Sequence, residues 1–266
     1  MRLVNLASLM LCSSVVVLTG CPDKTYIPLQ SGRMDSPEVA NRPLSIRGGL
    51  ELVADKQIRV ETNVGDEGQS LALQDVDVQL GEDELFDSEY LLTGEIAASL
   101  FPNFEVGYDG GEHYNNVALK YQFLGDESTN KGVMAAVAYK RGWADGASKD
   151  GFEDAFELDY DAKFDDYSAI VGYRFNQKFL AYGSVYRQNY DMDLEFSGGG
   201  LVAPIAVDEQ GDITGLSVAF EVAQQFDWSE SSRLAFTFEI THDNIKWDDS
   251  LDESINTFNT KVSIQY

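Results

Sequence analysis

The stretch Asn256-Thr257-Phe258-Asn259-Thr260-Lys261-Val262-Ser263-Ile264-Gln265-Tyr266 alternates at period two. Phe258, Thr260, Val262, Ile264 and Tyr266 fall on one side, and Asn259, Lys261, Ser263 and Gln265 on the other. One face is apolar and the other polar. A tilted strand of about ten such residues crosses a bilayer core. In a closed barrel its apolar face meets lipid and its polar face the lumen.

The same alternation recurs upstream. It predicts strands beginning at Leu44, Leu92, Phe104, Val117, Val133, Tyr167, Leu180, Leu216, Leu234 and Phe258, ten in all. Twelve is the alternative, with 57–62 and 71–80 as an added pair; the phase change at Gln74 ranks it lower. The links near 102, 125–131, 176–178 and 227–232 are short. Those at 62–89, 109–115, 143–166, 191–213 and 243–255 are mostly long, and the first holds nine acids and no base. Short turns at one end and long loops at the other are a barrel's habit. Ring side chains such as Phe101, Phe123, Phe175 and Trp228 mark the short-turn ends, and Tyr108, Trp143, Tyr186, Tyr190 and Trp247 the loop ends, as interfacial girdles do. The reading is an all-β antiparallel transmembrane barrel of about ten strands.

At the amino terminus Arg2 precedes an uncharged, mostly apolar run to Leu18, followed by Thr19-Gly20-Cys21. The run is too short for a spanning helix and ends in small residues, as a secretory signal does. Leu18-Thr19-Gly20-Cys21 resembles the lipobox of bacterial lipoproteins, which implies that 1–20 is removed and that Cys21 is acylated. Cys12 then departs with the signal, so the mature chain has no disulfide. Pro22 after Cys21 favours routing to the outer membrane. Residues 21–43 hold most of the prolines and no periodicity, and are read as a lipidated periplasmic leader to a barrel over 44–266. The closing strand likewise resembles the carboxy-terminal assembly signal of small outer-membrane barrel proteins, carried by Phe258, Val262, Ile264 and the terminal aromatic Tyr266. That resemblance implies the barrel assembly machinery as a partner and the outer membrane as the location.

The net charge of −26, which becomes −27 once Arg2 leaves with residues 1–20, argues against nucleic acid as a partner. The expected partners are membrane lipid and lipopolysaccharide, the latter through divalent ions held by acidic loops such as Asp159-Tyr160-Asp161, Asp165-Asp166, Asp248-Asp249 and Asp252-Glu253. No motif for a metal site or a cofactor is present, and neither is expected.

Strand parity places Arg47, Glu51, Glu95, Glu105, Lys120, Lys140, Arg174, Arg187, Glu221, Arg233, Glu239 and Lys261 in the lumen. Seven bases among five acids read as a paired ionic filling that closes the barrel. The alternative is a narrow channel for small solutes. A remote third reading is a rim hydrolase. His242-Asp243 invites comparison with the omptins, ten-stranded outer-membrane proteases, but their motif has Asp two positions before the His, where this chain has Ile240. His113 is read as a solvated loop residue. No catalytic residue is assigned, and the expectation is a structural or surface-interaction protein rather than an enzyme.

Overall fold

A computed structural model of the protein describes residues 23–30, 35–39, 43–54, 56–67, 70–80, 90–111, 114–125, 131–148, 156–198, 204–226, 229–247 and 251–265. Among the described residues thirteen strands are formed: β1 Asp23–Leu29, β2 Ile46–Ala54, β3 Lys56–Glu67, β4 Ser70–Leu80, β5 Tyr90–Phe101, β6 Phe104–Gly110, β7 Asn115–Leu124, β8 Gly132–Ser148, β9 Phe156–Asn176, β10 Phe179–Gly198, β11 Ile205–Phe226, β12 Ser229–Trp247 and β13 Leu251–Gln265. Ten of them, β2 and β5 to β13, close into one antiparallel barrel in chain order. The seam is the pairing of β13 with β2, in which Lys261 stands opposite Glu51 and Gln265 opposite Arg47. The strand beginning at Phe258 therefore does what its alternation calls for, closing the sheet and leaving no edge.

The twelve-strand alternative does not hold. β3 and β4 form a hairpin that pairs with β1 in a separate three-stranded sheet, order β1-β3-β4. The strand read as starting at Leu44 ends at Ala54, and its expected extension is β3. The chain turns at Pro102-Asn103, where Asn103 takes φ 66°. Asn tolerates that conformation, and Pro before it is pre-set for the turn's first central position.

Along the long strands the polarity inverts partway. On β9 the outward positions Tyr167, Val171 and Phe175 are apolar, with Tyr167 and Val171 more than half exposed. Further up the same face come Asp161, Lys163 and Asp165. The inward positions do the reverse: Arg174, Ser168 and Asp166 give way to Phe164 and Ala162, all buried. β12 repeats it, with Phe236, Phe238 and Ile240 facing out before Asn244 and Lys246, and Thr237, Glu239 and Asp243 facing in before Ile245 and Trp247. One surround explains both halves: lipid requires apolar atoms outside, and above it water requires polar ones, freeing the inside for an apolar core. The acidic stretches expected as loops at 143–166, 191–213 and 243–255 are therefore largely strand, standing clear of the apolar band.

That upper core is filled by the small sheet. Ile27 and Leu29 of β1 and Ile58 of β3 pack with Tyr190, Met192, Leu194, Ile213, Ile245 and Trp247. No helix is long and apolar enough to cross a membrane among the described residues, a fact with no bearing on crossing by strands.

Candidate functional site: a lumen threaded by the amino-terminal segment

The lumen is organised in layers of ion pairs. Near the seam, Arg47 Nη2 lies 2.7 Å from Glu95 Oε1 and 2.9 Å from Glu105 Oε1, and Lys120 Nζ is 2.8 Å from the same Glu105 oxygen. Lys261 Nζ pairs with Glu51 at 2.7 Å and with Glu95. Toward the short turns, Arg174 and Arg233 share Glu221 at 3.4 and 3.9 Å. Among the described residues, the wall carboxylate that meets both guanidiniums is Glu221.

A second carboxylate comes from the segment read as a periplasmic leader. Glu38 is 3 % exposed. Its Oε1 accepts from Arg174 Nε at 2.5 Å, and its Oε2 accepts from Arg233 Nη2 at 2.5 Å. Around it, Lys120 Nζ donates to the Ser36 carbonyl at 3.3 Å, and the Val39 N–H donates to Gln122 Oε1 at 2.8 Å. Lys140 bridges Asp35 and Asp109 at 2.8 and 3.2 Å. A Cβ on Gly172 would come within 2.9 Å of Pro37 Cγ, so the wall carries glycine where the segment lies against it. Higher up, the Gln30 N–H donates to the Tyr190 hydroxyl at 3.0 Å, and Gln188 Nε2 donates to both Gln30 Oε1 and Asp166 Oδ2. At the short-turn end Leu44 N–H donates to the Ser99 carbonyl and leads into β2. The chain thus runs through the lumen from loop end to turn end. Its voids beside Arg47 measure about 10 Å³ each, room for one water at most.

The description of residues 21–43 as a leader lying outside the barrel is thereby corrected for Asp23–Gln30 and Asp35–Val39. A guanidinium as buried as that of Arg174, with Arg233 four-fifths covered beside it, is stabilised by a carboxylate from whatever chain is at hand. The segment lacks periodicity because it belongs to no ladder of the wall.

Of the twelve charges expected in the lumen, all but Arg187 are there. Glu239, 1 % exposed, accepts from Asn259 Nδ2 at 3.4 Å. Arg187 lies outside, more than half exposed and paired with Asp212 at 3.0 Å. Cross-strand partners share a face, and the register sets Arg187 against Tyr167 and Tyr186 against Ser168. The error is one of phase. On β10 the bulky residues Leu180, Tyr182, Tyr186 and Tyr190 are the inward ones, all buried, while Val185 meets the outside at 62 % exposure. Tyrosine suits this position because its hydroxyl meets the polar lumen, as Tyr186 does by donating to Asp243 Oδ1 at 2.5 Å. Tyr186 and Tyr190 accordingly leave the expected girdle.

Four groups inside the barrel were not anticipated on its wall or cap: Lys56, Asp109, Asp166 and Asp243. Lys56 Nζ lies 3.1 Å from Asp243 Oδ2, both side chains almost fully buried. Parity extended past the apolar band locates three of them, since Asp109 follows Glu105, Asp166 precedes Ser168, and Asp243 follows Thr241. Asp35 and Glu38 had no such signal. Phe258, Val262 and Ile264 lie on β13, with Val262 exposed to the lipid side. Cys21, His113 and Tyr266 lie outside the described residues. His242 Nδ1 is 2.9 Å from Asn256 Oδ1 on the outer face, while its neighbour Asp243 points inward, so the two do not face a common substrate. Among the described residues no three His, Cys, Asp or Glu side chains gather as a metal site.

No protein-family model matches the chain, and no curated protein matches it. Among solved structures it is similar to the translocator domain of autotransporter NalP from Neisseria meningitidis, at 10 % identity over 84 % of this chain and 88 % of that one, with a TM-score of 0.31. It is also similar to OmpT, an outer membrane protein of Vibrio cholerae, at 9 % identity over 84 % and 95 %, TM-score 0.24. A third is the copper transporter OprC, at 9 % identity and TM-score 0.29, where the match covers 85 % of this chain and 43 % of that one.

Proposed function

We propose that this protein resides in the bacterial outer membrane as a barrel closed by its own amino-terminal segment, with a structural or surface-interaction role rather than that of an open pore. The carrying observation is Glu38 seated between Arg174 and Arg233. A conducting lumen needs a continuous wet path, and here a covalently attached segment occupies it. The apolar band, inverting to polar above it, supports membrane residence, with the short turns facing the periplasm and the long strands facing outward. Assembly in that membrane would pass through the barrel assembly machinery. Outward acids on the protruding strands, Asp161, Asp165, Asp191 and Asp193 among them, suit a surface that meets lipopolysaccharide phosphates through divalent ions. Residues 1–20 serve as the signal and Cys21 as the acylated residue in this reading.

Planar-bilayer recording tests the closed lumen. The wild type is expected to show no steady conductance, and deletion of 31–42 to open one while the barrel keeps its boil-dependent gel shift. A wild type that conducts steadily would favour the channel reading instead.

A further inference from the structure

The direction of the thread fixes where the chain begins. Gln30 joins Asp166 through Gln188, and Glu38 joins Arg174. Gln30 and Glu38 thus lie beside Asp166 and Arg174 of β9, in the same order toward the short turns. The eight residues of β9 from Asp166 to Arg174 span about 26 Å of strand. Before Gln30 the chain continues away from the short turns. Leu29 pairs with Lys56, whose ammonium meets Asp243 just above the lipid-facing Ile240, and Asp23 pairs with Thr62, six residues farther along. Ile27 and Leu29 pack against Trp247, Met192 and Leu194, in the zone whose outer face is polar.

We infer that the mature amino terminus emerges on the cell-surface side, so that an acylated Cys21 sits with the long loops rather than in the periplasm, its chains turned to the outer leaflet. This rests on the outer-membrane orientation and the acylation proposed above, and it reverses the periplasmic anchor expected from the sequence. The bound comes from covalent geometry. Cys21 is two residues from Asp23, and two residues reach at most about 7 Å, far short of the about 25 Å back across the membrane. A lipid on Cys21 cannot lie in the periplasmic leaflet while β1 is paired with β3. Acyl chains need an apolar phase, and on that side the outer leaflet supplies it. The proposed topology requires that the amino-terminal end pass outward while the barrel assembles around 30–43, which makes the thread a tether between the lipid and the wall.

The test is a short epitope inserted between Pro22 and Asp23 of the full chain, read by antibody on intact and on permeabilised cells. The same epitope between Gln177 and Lys178 marks the short-turn side, and one at Asp252 marks the loop side. Detection on intact cells equal to the Asp252 chain, with no signal from the Gln177 chain, is expected, together with incorporation of labelled palmitate that Cys21→Ser abolishes. If the amino-terminal epitope appears only after permeabilisation, as at Gln177, the inference is overturned while silent conductance can still stand. A reversed pattern for both controls would instead overturn the orientation underlying the proposed function. Surface detection without palmitate removes the anchor at Cys21. Lys24→Cys labelled by a membrane-impermeant maleimide gives the topological answer without an insertion.

Discussion

Glu38→Ala is expected to destabilise the barrel by about 3–5 kcal/mol, the range for removing one partner of a buried pair and leaving charge uncompensated. Arg174 would keep Glu221 and the Asn176 and Gln177 carbonyls, while Arg233, one-fifth exposed, would lose its nearer carboxylate and keep Glu221 at 3.9 Å. Two readouts follow. The urea midpoint of the folded band falls, and the thread, released at its lower mooring, admits water and gives intermittent conductance. The test of mechanism is a second substitution. Arg233→Met on the Glu38→Ala background returns the layer to one guanidinium and one carboxylate, and most of the lost stability should come back. If it does not, the ionic balance drawn here is wrong and Glu38 matters by its volume. Arg187→Ala makes the contrast, because its pair with Asp212 is exposed; a change within about 0.5 kcal/mol is expected.

The second large effect belongs to the cap. Asp243 meets Lys56 at 3.1 Å and accepts from Tyr186 at 2.5 Å, at full burial. Asp243→Ala removes the carboxylate that faces a buried ammonium, again at about 3–5 kcal/mol. The expected consequence is local, since β3 and β4 share no ladder with the wall and meet it through this ion pair, the apolar packing of Ile58 and the contact of β4 with β13. Limited proteolysis should cut within 56–89 while the ten-stranded barrel resists. Replacing both partners by apolar residues, Lys56→Met with Asp243→Leu, should recover most of the loss, as apolar replacement of a buried pair commonly does. Whole-barrel unfolding by Asp243→Ala, with no separate cut in the cap, would show that cap and wall form one cooperative unit.

Much of this molecule is legible at period two. Leu216-Val218-Phe220 against Ser217 and Glu221, or Phe236-Phe238-Ile240 against Thr237 and Glu239, announce a strand and both of its surroundings, because lipid and lumen make opposite demands on alternate residues. β10 misled for the same reason. Leu180, Tyr182, Tyr186 and Tyr190 face inward while Ala181, Gly183 and Val185 face outward, so on this strand side-chain size does not mark the lipid face. The strands above the membrane read as loops in the sequence because acids there end a strand only if lipid is assumed to continue. Acids end only its contact with lipid, and the ladder of β9 with β10 continues to Phe156 and Gly198.

The sequence by itself determined an all-β barrel of ten spanning strands and the inward parity of most lumen charges, since a strand's two faces are written residue by residue along it. Only the tertiary structure decided that Arg187 lies outside, that β3 and β4 leave the wall to cap it, and that Asp35 to Val39 run through the lumen. Those are matters of which distant charges end up opposite one another. Glu38 meets Arg174 across 136 residues and Arg233 across 195. No local pattern encodes such a meeting, because the two guanidiniums stand together to receive a carboxylate only after the barrel has closed.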